Sequence, residues 1–256
     1  MKIAIITGAS SGIGKQFALT LPSYGNFDEV WLIARRLDRL TLLQEKLPYK
    51  ARAISMDLSS PTAKDEFSSL LERENPEVGL LINCSGYGKF CATDDVDTDV
   101  NLNMVDLNCK AVLFTCQLSL KYMKAGSKII NIASVAAMQP IPYINVYGAT
   151  KAFVLSFSRA LNREVKKRGI TVTAVCPFWT KTEFFDRAVK KDEEAVVKKY
   201  VAMYKPEQIV SRAWRDAKRG KDVSKFGFKA RFQCFLCKIL PHSLVMSVWM
   251  KQQKLK

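Results

Sequence analysis

A doubly wound parallel sheet with helices on both faces is the fold class this sequence predicts, and three observations predict it. Apolar runs of strand length alternate with stretches of helical periodicity from Lys2 to Pro177. The connections between them are short, as expected for an α/β chain whose crossovers return each strand parallel to the last. A glycine-rich turn, Gly8 to Gly14, stands between the first strand and the first helix. With 256 residues, 48% of them hydrophobic, the chain can build one large core. A single domain over residues 1–256 is therefore expected.

The first strand is the Ile-rich run 2–7. Behind it, Gly8, Gly12 and Gly14 let the backbone turn sharply and approach a pyrophosphate, whose charge free amides meet at the start of a helix marked by Phe17, Leu19 and Leu21. The second strand, 29–34, ends in Arg35-Arg36. An acid at that strand end holds the ribose 2′-hydroxyl of NAD, but Ala34 has no acceptor, and arginine there suits the 2′-phosphate of NADP. A helix over 37–47 follows, then a third strand, 51–56, closed by Asp57 and Leu58. Next come a helix over 63–74 and a fourth strand, 78–82, running into Asn83-Cys84-Ser85-Gly86. Residues 100–123 form one long helix. Asn108 lies in its middle, a residue that competes for backbone hydrogen bonds and marks either a kink or an exposed position. The fifth strand is 128–133, a helix occupies 145–168, and the sixth strand, 169–177, stops at Pro177.

Ser134 stands at the carboxyl end of the fifth strand, where ligands bind in open parallel sheets. Tyr147 and Lys151 are four positions apart, so a helix puts them on one face. A phenol titrates near ~10 in water. A neighbouring ammonium favours the phenolate, bringing the group toward the range of general acid-base work, while Ser134 holds a carbonyl oxygen from the other side.

Taken together, these residues resemble the short-chain dehydrogenase/reductase family over residues 2–183. The family's glycine-rich cofactor loop is matched by Thr7-Gly8-Ala-Ser-Ser-Gly12-Ile13-Gly14, its adenine contact by Asp57, its Asn-Asn-Ala-Gly segment by 83–86, and its catalytic tetrad by Asn108, Ser134, Tyr147 and Lys151. The resemblance implies a Rossmann-type fold and a hydride transfer. Ser134 and Tyr147 bind the substrate oxygen, Tyr147 donates its proton, Lys151 lowers the tyrosine pKa and holds the nicotinamide ribose, and Asn108 holds a water linking Lys151 to solvent. It further implies cofactor contacts at Gly8, Ser10, Ser11, Gly12, Ile13, Gly14, Arg35, Arg36, Asp57, Leu58, Asn83, Ser85, Gly86, Tyr147, Lys151, Pro177, Thr180 and Thr182. Three positions depart from the pattern. Cys84 and Ser85 replace Asn and Ala, Ser11 replaces a basic residue so that NADP selection rests on Arg35 and Arg36, and Phe178 replaces a glycine whose backbone path a phenylalanine does not adopt cheaply.

The substrate loop is expected over 178–210, where Phe178, Trp179, Phe184, Phe185, Tyr200, Met203 and Tyr204 face Met138, Ile141 and Tyr143 across a cleft. Apolar and aromatic lining suits a lipophilic ketone, steroid-like or acyl-like. The alternatives are a polar alcohol, a sugar or a 3-oxoacyl thioester as substrate, or a dinucleotide sensor without turnover.

The net charge is +16, and residues 212–256 hold 12 Lys or Arg against two Asp. The tail, 226–256, is basic and amphipathic; it docks on its own sheet, on a partner subunit or on an anionic membrane surface. No nucleic-acid module accompanies the charge. Seven scattered Cys and a single His, His242, with only Cys234-x-x-Cys237 close in sequence, argue against a metal site. No run reaches the roughly 18 apolar residues of a membrane span. A cytoplasmic enzyme, dimeric or tetrameric as the family commonly is, is the resulting expectation.

Overall fold

The computed structural model describes residues 1–188 and 196–255. Among these, seven strands form one sheet in the order β3-β2-β1-β4-β5-β6-β7. They are β1 (Lys2–Thr7), β2 (Glu29–Ala34), β3 (Ala51–Ser55), β4 (Glu77–Asn83), β5 (Lys128–Ile132), β6 (Thr171–Val175) and β7 (Val223–Ser224). Every pairing is parallel. The strand order reverses between β1 and β4, which opens a crevice at their carboxyl ends.

Both faces of the sheet are covered, and the alternation of side chains along each strand decides which core a residue joins. Ile3 and Ile5 of β1 join one apolar cluster with α3 (Ala63–Glu74), α5 (Ala111–Ser119) and α6 (Asn145–Glu164). Ala4 and Ile6 join the opposite one, with α1 (Gly12–Thr20), α2 (Leu37–Gln44) and α8 (Pro206–Lys218). Trp214 of α8 meets Phe17 edge-on and stacks on Tyr24.

The long helix expected over 100–123 is four pieces, the last a 3-10 turn at Leu120–Tyr122. α4 (Thr98–Val105) passes into a π turn, Asp106–Lys110, before α5 begins. Asn108 sits in that turn and is fully buried, so the exposed-position reading fails, and the interruption of the helix is a π turn whose extra residue re-aims the side chain inward.

One boundary needs correction. The substrate loop does not extend to residue 210, because Pro206 starts α8 at the first helical position, which proline favours. Residues 189–195 of that expected loop lie outside the described residues. The tail forms two helices, α9 (Phe228–Ile239) and α10 (His242–Gln253). They dock on their own subunit: Ala230 and Cys234 pack with Val135, and Trp249 packs with Ile141 and Ile144. The remaining helix, α7 (Phe184–Ala188), follows β6. Among the described residues, no helix is long and apolar enough to cross a membrane.

Candidate active site

The glycine-rich turn is fastened to the neighbouring strand. Thr7 Oγ1 accepts hydrogen bonds from the Cys84 and Ser85 amides at 3.0 and 3.2 Å, joining the ends of β1 and β4. Gly8 has φ +64°, and a Cβ there falls 2.7 Å from the Cys84 carbonyl and the Ser85 nitrogen. Only glycine fits that approach. Ser11 stands before α1 without capping it, so the first amides of the helix, at Gly12 and Ile13 on the cleft wall, have no side-chain cap. That is the donor set a pyrophosphate needs.

Arginines gather at the end of β2. Arg35 approaches Asp57 at 3.7 Å. Arg36 Nη2 donates to Ser10 Oγ and Ser11 Oγ, both at 3.2 Å, and its Nη1 donates to Glu183 Oε2 at 3.1 Å. Arg39 donates to both Glu183 oxygens at 2.6 and 2.8 Å. Burial pushes the Glu183 carboxyl up, but the hydrogen bonds from Arg36 and Arg39 outweigh it and hold the group below its usual range. Two guanidinium groups meet one carboxylate, and two serine hydroxyls flank Arg36, a donor set that fits an anion of phosphate type. Asp57 accepts from the Ser59 amide and hydroxyl at 3.0 and 2.6 Å, bonds that with Arg35 overcome burial and lower its pKa.

Ser134, Tyr147 and Lys151 line the same cleft. Ser134 Oγ accepts from the Ala136 amide at 3.1 Å, which fixes the turn after β5. Lys151, 5% exposed, donates through Nζ to the Ile132 carbonyl at 2.8 Å and lies 5.7 Å from the centre of the Tyr147 ring. Burial draws its pKa down to about 8. Burial likewise pushes the Tyr147 phenol up to about 12, against the opposing hydrogen bond with Ser134. The sequence reading had the phenol acidified by its lysine neighbour. In the protein alone, desolvation wins.

Asn108 stands behind this group rather than on the cleft wall. It accepts from the Tyr87 amide at 3.1 Å and donates to the Tyr87 carbonyl at 2.9 Å and to Thr150 Oγ1 at 3.0 Å. Thr150 in turn donates to the Tyr147 carbonyl at 2.7 Å, so Asn108 positions the start of α6. A Cβ on Gly86 comes 2.8 Å from Asn108 Oδ1 and 3.4 Å from Lys151 Nζ. Gly86 is thus the space through which these two polar groups face each other.

Asn83 departs furthest from expectation. It shares the face of Leu81 on β4, is 3% exposed, and donates to Asn131 Oδ1 at 2.9 Å while accepting from Thr115 Oγ1 at 2.9 Å. Asn131 continues to Ser158 at 2.9 Å. The Asn83 side chain therefore ties the sheet to α5 and α6 and is absent from the cleft lining. Gly14 is also buried and off the wall. The expected contacts at Gly8, Ser10, Ser11, Gly12, Ile13, Arg35, Arg36, Asp57, Leu58, Ser85, Gly86, Pro177, Thr180 and Thr182 all line the cleft.

Phe178 keeps a negative φ, which the glycine it replaces did not require. Its ring packs against Trp179, Tyr204, Val135, Ala230 and Cys234. Phe90, Trp179, Phe184 and Phe185 form an aromatic cluster beside Tyr147. Of the residues expected opposite, Ile141 lines the cleft, whereas Met138 and Tyr143 do not; Tyr200, Met203 and Tyr204 also lie off its wall.

The far wall is the C-terminal tail, a contribution the sequence reading missed. Phe228, Phe232, Leu236, Leu240, Leu244, Val248 and Trp249 enclose a cleft of about 670 Å³ that is continuous with Tyr147. The Cys237 thiol donates to Gln139. Trp249 Nε1 donates to the Pro142 carbonyl at 3.1 Å, and Gln253 accepts from the Lys198 and Lys199 amides at 2.8 and 2.9 Å.

Residues 2–193 match the family model described as short chain dehydrogenase. A very-long-chain 3-oxoacyl-CoA reductase-B from Danio rerio is 35% identical over 193 residues, which is 71% of this chain and 60% of that protein. The chain thus spans about three fifths of that relative's length. Among solved structures, a short-chain dehydrogenase from Sphingobium yanoikuyae in complex with NADPH superposes with a TM-score of 0.77 at 27% identity, covering 96% of both chains. A bulky-bulky ketone specific alcohol dehydrogenase from Comamonas testosteroni gives 0.72 at 25% identity, covering 96% of this chain and 94% of that one.

Proposed function

The chain belongs to the short-chain dehydrogenase family, and from that premise we propose that it is an NADP(H)-dependent reductase of a lipophilic ketone, steroid-like or acyl-like. The observation that carries the substrate class is the cleft wall. Aromatic groups beside Tyr147 and apolar groups from the tail outnumber polar ones such as Gln139, Gln233 and Gln252, a lining that suits an apolar substrate. The similarity to proteins named a very-long-chain 3-oxoacyl-CoA reductase and a bulky-bulky ketone specific alcohol dehydrogenase supports the same reading. The cofactor preference is supported by Arg36, with Ser10 and Ser11, forming an anion cradle where NAD would need an acid.

When bound, the reduced dinucleotide supplies the hydride. Ser134 and Tyr147 hold the carbonyl oxygen, and Tyr147 releases its proton as negative charge gathers there. An alkoxide is a stronger base than a phenolate, even that of a phenol at about 12, so the transfer runs downhill. Lys151 stabilises the phenolate that remains, and the bond to Ile132 fixes its ammonium in reach. The test is absorbance loss of NADPH and NADH across steroid, acyl, sugar and simple ketone panels. Turnover confined to small hydrophilic sugars sinks the substrate class.

A further inference from the structure

The C-terminal helices present a face that the rest of the fold leaves uncovered. On α9, Phe228, Phe232, Phe235 and Ile239 recur at helical spacing and are 81, 52, 56 and 60% exposed, while Ala230, Cys234 and Cys237 on the opposite side are buried. Leu244 and Val248 carry the strip onto α10 at 48 and 58% exposure. Water-soluble helices normally place such residues inward. Here the buried side is made of small residues and the large rings point out.

Charge supplies the second observation. Lys229, Arg231 and Lys238 border the strip, and no Asp or Glu follows Asp222 in the chain. An apolar strip edged by cations with no acidic counter-charge complements an anionic lipid surface, with rings entering the boundary below the headgroups and cations meeting the phosphates. Continuity supplies the third. Phe228, Phe232, Leu244 and Val248 belong both to the exposed strip and to the wall of the cleft that holds Tyr147.

We propose that the α9–α10 face seats on an anionic bilayer and that the cleft receives its ketone from the lipid phase past these two helices. The route of substrate entry rests on the lipophilic-ketone reading above; the seating does not.

Vesicle flotation of the full chain tests the seating. Vesicles containing phosphatidylglycerol carry the protein upward, pure phosphatidylcholine vesicles do not, and high salt releases it. Two variants touch the strip without touching the cleft: Phe235→Ser with Ile239→Ser, and Arg231→Glu with Lys238→Glu. Each lowers the bound fraction at least about tenfold, while turnover of a water-soluble ketone is unchanged, which also reports intact folding. Turnover of a ketone dissolved in anionic vesicles falls in step with binding. A full chain that does not float, flotation indifferent to both variants, or a dimer that Phe235→Ser dissociates in the absence of vesicle binding overturns the seating. Vesicle binding without reductase turnover of any ketone leaves the seating standing and removes the substrate route together with the enzyme reading.

Discussion

Arg36 and Glu183 stand 147 positions apart in the chain and meet at 3.1 Å beside the glycine-rich turn. Arg39 holds the other side of the same carboxylate. The pair ties the segment after β6 to the end of β2, and it engages the guanidinium groups that a 2′-phosphate also seeks. Glu183→Gln weakens this competition. Exposed ion pairs are worth about 0.2–1 kcal/mol, so KM for NADPH falls roughly two- to fivefold with kcat little changed. Arg36→Ala raises KM for NADPH about tenfold or more, on the scale of a charge-assisted hydrogen bond, and hardly affects NADH. Steady-state kinetics with both cofactors decide the matter, and equal losses for NADPH and NADH remove the phosphate assignment.

Burying Lys151 costs stability. Burial draws its pKa from 10.5 down to about 8, so the folded protein releases this proton at lower pH than the unfolded chain. Below about 8 both states hold the proton and the cost of burying the ammonium is fully present. Between about 8 and 10.5 the unfolded chain binds more protons, and stability rises with pH. Lys151→Met removes that cost and gives up the bond to Ile132, worth about 1 kcal/mol. Near pH 7 the inactive variant is the more stable by on the order of 1–2 kcal/mol, and its advantage shrinks above pH 8. Thermal unfolding across pH measures this; a variant less stable than its parent at pH 7 contradicts it.

The same titration governs turnover. Tyr147, at about 12, keeps its proton throughout the working range. The ammonium that stabilises the phenolate is lost above about 8. The pH profile of kcat/KM for NADPH-dependent reduction is accordingly flat below about 8 and declines above it. A plateau reaching past pH 10 rules out this role for Lys151.

Asn83 belongs to the core. Asn83→Ala takes from Asn131 Oδ1 its amide donor in a buried site and leaves it only the weak Cys116 thiol, while the Thr115 hydroxyl keeps the Ala111 carbonyl; the cost is about 1–3 kcal/mol. Chemical denaturation shows this loss, while KM for NADPH stays within about threefold of the parent. A large rise in KM with unchanged stability returns Asn83 to the cofactor site.

Much of this was legible in the sequence, for physical reasons. Strands β1, β2, β4 and β6 are apolar runs closed by Gly8, Arg35, Asn83 and Pro177, and α3 begins and ends where its periodicity does. The i,i+4 spacing of Tyr147 and Lys151 puts both on one face of α6, where Lys151 Nζ lies 5.7 Å from the centre of the Tyr147 ring. Asn83 was misplaced although a period of two from Leu81 already turned it inward. The helix α8 was missed although Pro206 and the spacing of Ile209, Ala213 and Trp214 announce it. Strand β7 has two residues and no local signal, since pairing with β6 defines it. Glu183 and the tail acquire their roles only through tertiary contact. No local pattern says that Trp249 will reach Pro142, or that Phe228 will wall a cleft reaching Tyr147.

The central claim is that the Tyr147 hydroxyl delivers the proton to the ketone. Tyr147→Phe removes one oxygen and leaves the ring to pack against Phe90 and Phe184. NADPH consumption with a lipophilic ketone, compared between the full-length parent and this variant, tests the claim most directly. The account predicts a loss of at least ~10²-fold in kcat, with NADPH binding retained; equal rates contradict it.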